Sequence, residues 1–297
     1  MKSAVRSAAI AAALALTASG AVSVPADAGP SASPEPAAKR IQVKGAKFIW
    51  GLSNESSNRG YAPNTYNFFS AGKIKNPGKS RKITKGEWTR RTKRVAIQKR
   101  KPNGRYRLAT WRGLRTRPNG KPIGAPTTAT FSHHRVLMRA GKGRINPKLN
   151  TAKIHWKGSF TVLYYSGYTF FYVSNPTLTV RRNGVGTVVA TLGGYGTSRS
   201  NPSKWVKLPN KRVRIATLRG VNVTKNGIRT KPKYRKVKYN PPKGAPGSKQ
   251  VRTGKFWGSW PRPFVNYQQR TGQHSYWYSS GGATDRFKQA LPLTVRY

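Results

Sequence analysis

The segment FTVLYYSGYTFFYVSNP, residues 160–176, decides how the chain must be read. It lies inside residues 158–180, a run of 23 without a charged side chain, in a protein of formal net charge +53. That length is enough for a helix to cross a bilayer. The composition argues otherwise: Ser159, Thr161, Ser166, Gly167, Thr169, Ser174, Asn175, Pro176, Thr177 and Thr179 scatter polar or helix-breaking groups through it. Its Val, Tyr, Phe and Thr content favours strands. Ser166-Gly167 then predicts a turn between two strands, and Asn175-Pro176 the next break. On strand spacing Phe160, Val162 and Tyr164 share one face and Thr161, Leu163 and Tyr165 the other, so both faces are to be covered. Buried tyrosines need partners for their hydroxyls, so Tyr164, Tyr165, Tyr168 and Tyr172 predict a pocket wall as well as a core.

Outward from this segment the same pattern recurs. Four Asn-Gly pairs, beginning at Asn103, Asn119, Asn183 and Asn226, supply the positive φ angles of tight turns. Around the first and third, VAIQK with RYRLATW and TLTVRR with VGTVVATL alternate apolar and polar residues, predicting hairpins. Two short helices are expected. TKGEWTRRTKR opens with Thr84 and has Glu87 three residues on, the spacing of a capping box. RPFVNYQQRTG offers Pro263 as a first helical residue and Gly272 as a stop. The fold class that follows is mainly β: an antiparallel β-sandwich or β-barrel-like domain with one or two short helices, spanning residues 41–297 as a single domain. The basic, proline-containing residues 230–250 read as a long exposed excursion within it.

The start of the chain reads as an export signal over residues 1–28. It has Lys2 and Arg6, then an apolar run, then Ala26-Asp27-Ala28 as the cleavage site. Residues 29–40, rich in Pro, Ala and Ser, read as a disordered spacer. No transmembrane segment is expected in the mature chain. There is no cysteine, which excludes disulfides and thiolate sites, so an exported domain has to rely on its core. The expected location is extracellular, with electrostatic retention at the cell envelope. A field of this sign attracts nucleic acid, anionic wall polymer, anionic lipid or a small dianionic ligand without choosing among them.

The residues that enzymes use are scarce. Five carboxylates stand against 58 basic residues, and one of them, Glu35, falls in the spacer. His133, His134, His155 and His274 show no metal-ligand spacing, and no G-x-S-x-G surrounds a serine. His133 and His134 are adjacent, so a strand places them on opposite faces, one inward and one solvated. Catalysis is therefore not expected. Basic residues interleave with Trp88, Tyr106, Trp111, Tyr234 and Tyr239, a mix able to stack bases and contact phosphates, yet no nucleic-acid recognition module is present. On the competing reading these aromatics pack inward while Lys and Arg line the wet faces of the strands.

Three stretches resemble the HtaA domain family. FIWGLSNESSNRGYAPNTYNFFSAGKI, residues 48–74, is similar to the family's Trp-Gly opening, and IHWKGSFTVLYYSGYTFFYVSNPTLTV to its central signature. YWYSSGG followed by ALPLTVRY is similar to its closing segments. The resemblance spans residues 48–297 and implies an exported actinobacterial β-rich domain. Studied members of that family bind haem at the cell surface, with a tyrosine on the iron and a histidine supporting it, so iron acquisition is the implied role. Carried over residue by residue, the iron tyrosine corresponds to Tyr61 or Tyr66. The supporting histidine corresponds to Tyr165, which is not histidine here. The aromatic pair on the other face of the haem corresponds to Trp277 and Tyr278. The resemblance thus implies a secreted, non-catalytic haem-binding protein. The competing expectation is a cationic envelope protein that adheres to anionic wall polymer or nucleic acid through its surface.

Overall fold

The computed structural model describes residues 40–75, 81–197, 205–245 and 247–297. The expected export signal, and the expected spacer apart from Arg40, lie outside the described residues. Among those residues are β1 (Ile41–Trp50), β2 (Phe68–Ala71), β3 (Val95–Arg100), β4 (Tyr106–Leu108), β5 (His134–Asn146) and β6 (Thr151–His155). They are followed by β7 (Ser159–Tyr164), β8 (Thr169–Val180), β9 (Gly186–Thr197), β10 (Trp205–Leu218), β11 (Gly227–Thr230), the helix α1 (Arg262–Thr271) and β12 (Leu293–Arg296). The strands form one antiparallel sheet whose main path runs β10-β9-β8-β6-β5-β1-β12-β11, mainly β as expected and not closed into a barrel. No helix among the described residues is long and apolar enough to cross a membrane.

The hairpins form where alternation flanks Asn-Gly: β3 with β4, and β8 with β9. Three of the Asn-Gly turns close alike. Gly104, Gly120 and Gly184 are left-handed and donate to Lys101, Arg117 and Arg181, while Asn103, Asn119 and Asn183 accept from the backbone two residues on. The asparagines themselves keep negative φ, so each turn needs one left-handed residue and glycine supplies it.

The sheet forks twice. The first half of β5 pairs with β3 and its second half with β6; the first half of β8 pairs with β7 and its second half with β6. Each change of partner falls at a left-handed residue, Ala140 in β5 and Asn175 in β8. Asn175-Pro176 is therefore not the end of a strand, as the sequence had suggested, but a bulge within β8. Proline has no N–H to give a ladder, and a bulge is where a sheet tolerates that. Asn175 is fixed by a reciprocal pair with Gly158, its N–H donating to the Gly158 carbonyl at 2.9 Å and its Oδ1 accepting the Gly158 N–H at 2.9 Å. Beside the fork in β5, the buried Trp156 indole lies against Gly141 and donates to the Ala46 carbonyl at 2.8 Å.

Two other expectations are revised. Thr84 and Glu87 do make capping contacts, the carboxylate accepting from the Thr84 N–H at 2.7 Å and from its hydroxyl at 3.0 Å. No helix follows, because Trp88 donates to the Phe69 carbonyl, Thr89 to Ser70 Oγ, and Ala71 to the Thr89 carbonyl, drawing the chain straight along β2. The described residues of 230–250 carry no strand beyond Thr230, yet Tyr234 and Tyr239 are buried and Gln250 ties Val237, Tyr239 and Gly258 together, so the excursion is anchored. The second helix stands as expected. Phe264, Val265, Tyr267, Gln268 and Thr271 form its buried face, Phe264 meets Phe171 of β8, and left-handed Gly272 ends it.

A methyl group on Gly141 would collide with the Trp156 indole. Gly141→Ala is expected to cost at least about 2 kcal/mol through overpacking and the lost hydrogen bond. Trp156→Phe, which removes the donor, is expected to cost about 1–3 kcal/mol. Urea denaturation of both variants measures this.

Candidate functional site

Two short pieces of backbone build the site. The first follows a 3-10 turn at Glu55–Ser57: Arg59 and Tyr66 bridge, the Gly60 N–H donates to the Thr65 carbonyl at 2.9 Å, and the Thr65 hydroxyl donates to the Ala62 carbonyl at 2.6 Å. The second is the turn between β7 and β8, where Tyr165 (φ 51°) and Ser166 (φ 60°) are consecutive left-handed residues without being glycine. Each such residue costs roughly 1 kcal/mol or more. The two pieces hold each other in place. Tyr165 N–H donates to Asn67 Oδ1 at 3.0 Å, Ser166 N–H to the Tyr66 carbonyl at 2.7 Å, and Tyr66 N–H to Ser166 Oγ at 2.9 Å. A third edge docks on both, with Ile83 N–H on the Ser166 carbonyl of the turn at 2.8 Å and Lys82 Nζ on the Pro63 carbonyl of the first piece at 3.5 Å.

Between these edges lies an open pocket of about 540 Å³, lined by Tyr61, Ala62, Pro63, Thr65, Lys82, Tyr165 and Tyr168. Tyr61 is 57% exposed, so its phenol is within reach of a ligand. The Tyr165 ring lies against the bare Cα of Gly60, where a Cβ would come within 2.8 Å of it.

Beneath the pocket runs a chain of buried hydroxyls. Tyr276 donates to Tyr165, and its ring packs 4.2 Å from that of Tyr164. Tyr164 shares a 3.3 Å hydrogen bond with Ser56, and Ser56 a 3.0 Å bond with Ser53. Burial holds the Tyr164 and Tyr276 phenols well above the usual range, and for Tyr276 the neighbouring Tyr165 adds to it, so both stay protonated. Glu55, also buried here, is pushed up to about 7 by desolvation, against the Asn58 amide at 3.0 Å and the charge of Lys288, with Asp285 adding to the rise.

The sequence-derived candidates separate. Tyr61 and Tyr165 line one pocket, whereas Tyr66 contributes backbone to the wall and packs its half-buried ring on the core. Trp277 and Tyr278 are fully buried. Trp277 sits among Trp260, Phe264, Phe171 and Tyr164, and Tyr278 packs on Tyr239 and donates to the Ser248 carbonyl at 2.7 Å. Their neighbour Tyr276 is the aromatic that reaches the site. His134 is buried with Nδ1 at 2.5 Å from Ser132 Oγ, and desolvation pushes it down to about 3; His133 is half-buried. Among the described residues no group of three or more His, Cys, Asp or Glu could hold a metal ion.

Comparison with known proteins gives one structural likeness. The crystal structure of the C-terminal domain of HtaA from Corynebacterium glutamicum aligns with a TM-score of 0.41 and 10% identity, over 86% of this chain and 96% of that one. No protein-family model and no curated protein matches the sequence.

The Glu55 environment has a pH signature. Its carboxyl binds a proton in the folded protein up to about pH 7, but in the unfolded chain only to about its ordinary 4.5. The native state therefore holds more protons between those values, so this group's contribution to stability falls as pH rises through that window. Glu55→Gln is expected to remove that fall. Thermal melts at pH 4.5 and pH 8 should show the variant gaining on the parent only at the higher pH.

Proposed function

We propose that the chain is an exported, non-catalytic ligand-binding protein formed as one domain over residues 41–297, and that its ligand is haem. The observation that carries this reading is the meeting of Tyr61 and Tyr165 in one pocket with Lys82 at its edge. The donor set suits the group: a phenol oxygen for the iron, an ammonium for a propionate, and a volume in the range that small-molecule sites occupy. Bound haem would supply an iron(III) centre able to take a tyrosinate ligand.

In this reading Tyr61, the exposed phenol, is the iron ligand. Tyr165 takes the supporting place. Tyr276 donates to it, which polarises the Tyr165 hydroxyl as a donor in its turn, a role a histidine N–H could also fill. Gly60 keeps the Tyr165 ring seated, and the left-handed turn keeps its backbone aimed at the loop that carries Tyr61.

Titration of the purified protein with haemin tests this. A saturable Soret band at one haem per chain is expected, with affinity reduced at least about tenfold by Tyr61→Phe and by Gly60→Ala, and unchanged by Tyr106→Phe. Binding that does not saturate and vanishes in moderate salt would overturn it, and would instead favour adhesion to anionic polymer through the basic surface.

A further inference from the structure

A second pocket, sharing no residue with the first, lies where six strands converge. It measures about 310 Å³, and Arg100 at the end of β3, Arg135 in β5 and Arg229 in β11 all line it, with His133, Tyr106 and the apolar Ile49, Leu291 and Pro292. Strand register explains the convergence. Arg229 stands opposite Thr294, Thr294 opposite Ile49, and Ile49 opposite Leu137, which puts Arg135, two residues earlier, on the same face; Gln98 stands opposite Arg135, and Arg100 is two residues further. Strands from distant parts of the sequence thus deliver three guanidinium groups to one hollow.

The arrangement is built rather than incidental. The Arg135 guanidinium lies 3.5 Å from the centre of the Tyr106 ring and its Nε donates to Gln98 Oε1 at 2.9 Å, so its fork is held in position. Burial pushes the Arg135 pKa down, and the charge of Arg296 adds to that against Tyr106. His133 is pushed below its ordinary value by burial and then by Arg100 and Lys99, so at pH 7 it is neutral and presents one ring N–H.

No acidic side chain of the described residues lines the hollow. The acidic side chains of the described residues are engaged elsewhere: Glu55 on Asn58, Glu87 on Arg81 at 2.6 Å and Asp285 on Lys288 at 2.7 Å. Bringing like charges together in a partly desolvated space is unfavourable unless an anion joins them, and planar guanidinium forks match tetrahedral oxyanions in pairs. We propose that the pocket between Arg100, Arg135 and Arg229 binds a phosphate monoester in its dianionic form, the organic part resting on Ile49, Leu291 and Pro292.

Calorimetric titration with methyl phosphate at physiological ionic strength tests this, with dimethyl phosphate as the singly charged comparison. One saturable site is expected, at least about tenfold weaker for the diester, and at least about tenfold weaker for the monoester in Arg229→Ala and in Arg100→Ala. Both arginines are exposed, so each variant should melt like the parent. The double variant Arg181→Ala/Arg182→Ala, on the exposed turn between β8 and β9, changes the net charge more and should bind normally. Equal binding of the diester, many weak sites, or an equal loss in the double variant would each overturn the proposal, the last two by showing general attraction to a polycation.

Discussion

The reciprocal hydrogen bonds between Asn175 and Gly158 decide where β8 changes partner. Before that bulge β8 runs beside β7, and β7 carries β2 on its far side; after it, β8 joins β6 and the main path of the sheet. Both candidate sites descend from this divergence and from its counterpart in β5. The branch through β7 and β2 ends in the turn at Tyr165, directly against the loop that carries Tyr61. The branch through β3 and β4 brings Arg100 and Tyr106 toward the face on which Arg135 stands. A sheet with one uninterrupted ladder would place neither group of residues together.

Charge shapes the rest of the molecule by its imbalance. With so few carboxylates, ion pairing cannot contribute much to the fold, and self-repulsion opposes compactness. Cohesion comes instead from a core in which Trp50, Trp156, Trp260 and Trp277 are all buried. Three of their indoles find a carbonyl: Trp50 on Leu291, Trp156 on Ala46 and Trp260 on Lys288. Such contacts tie distant segments together without needing an acid. Arginine is also used as packing material, as where Arg115 covers the Trp111 ring at 4.9 Å.

The sequence made the local features legible and hid those that depend on strand order. Asn-Gly between alternating runs is a local instruction, and those hairpins formed. The Pro263 helix is equally local, with a face repeating every three to four residues and a glycine stop. The capping box at Thr84 is just as local, but pairing with β2 won over the helix it would have begun. Tyr61 and Tyr165 could be named from the sequence; that they share a pocket while Tyr66 faces the core depends on the register of β2 against β7. Tyr276 had no signal separating it from Trp277 and Tyr278, because three consecutive aromatics do not show which one turns outward. The arginine hollow was invisible for a simpler reason: among 58 basic residues, nothing local marks the three that converge.

The position of β12 bears on how the protein is made. It lies between β1 and β11, with Phe48 and Ile228 both opposite Val295. One edge of β1 and one edge of β11 therefore stay unpaired until the chain has been synthesised as far as Leu293. Pairings this far apart in sequence form slowly, and a strand edge waiting for its partner is open to wrong ones. Two features of these edges offset the risk. Lys44 and Lys47 stand exposed on β1, and Arg229 on β11, so unfinished chains repel one another while the last strand is on its way.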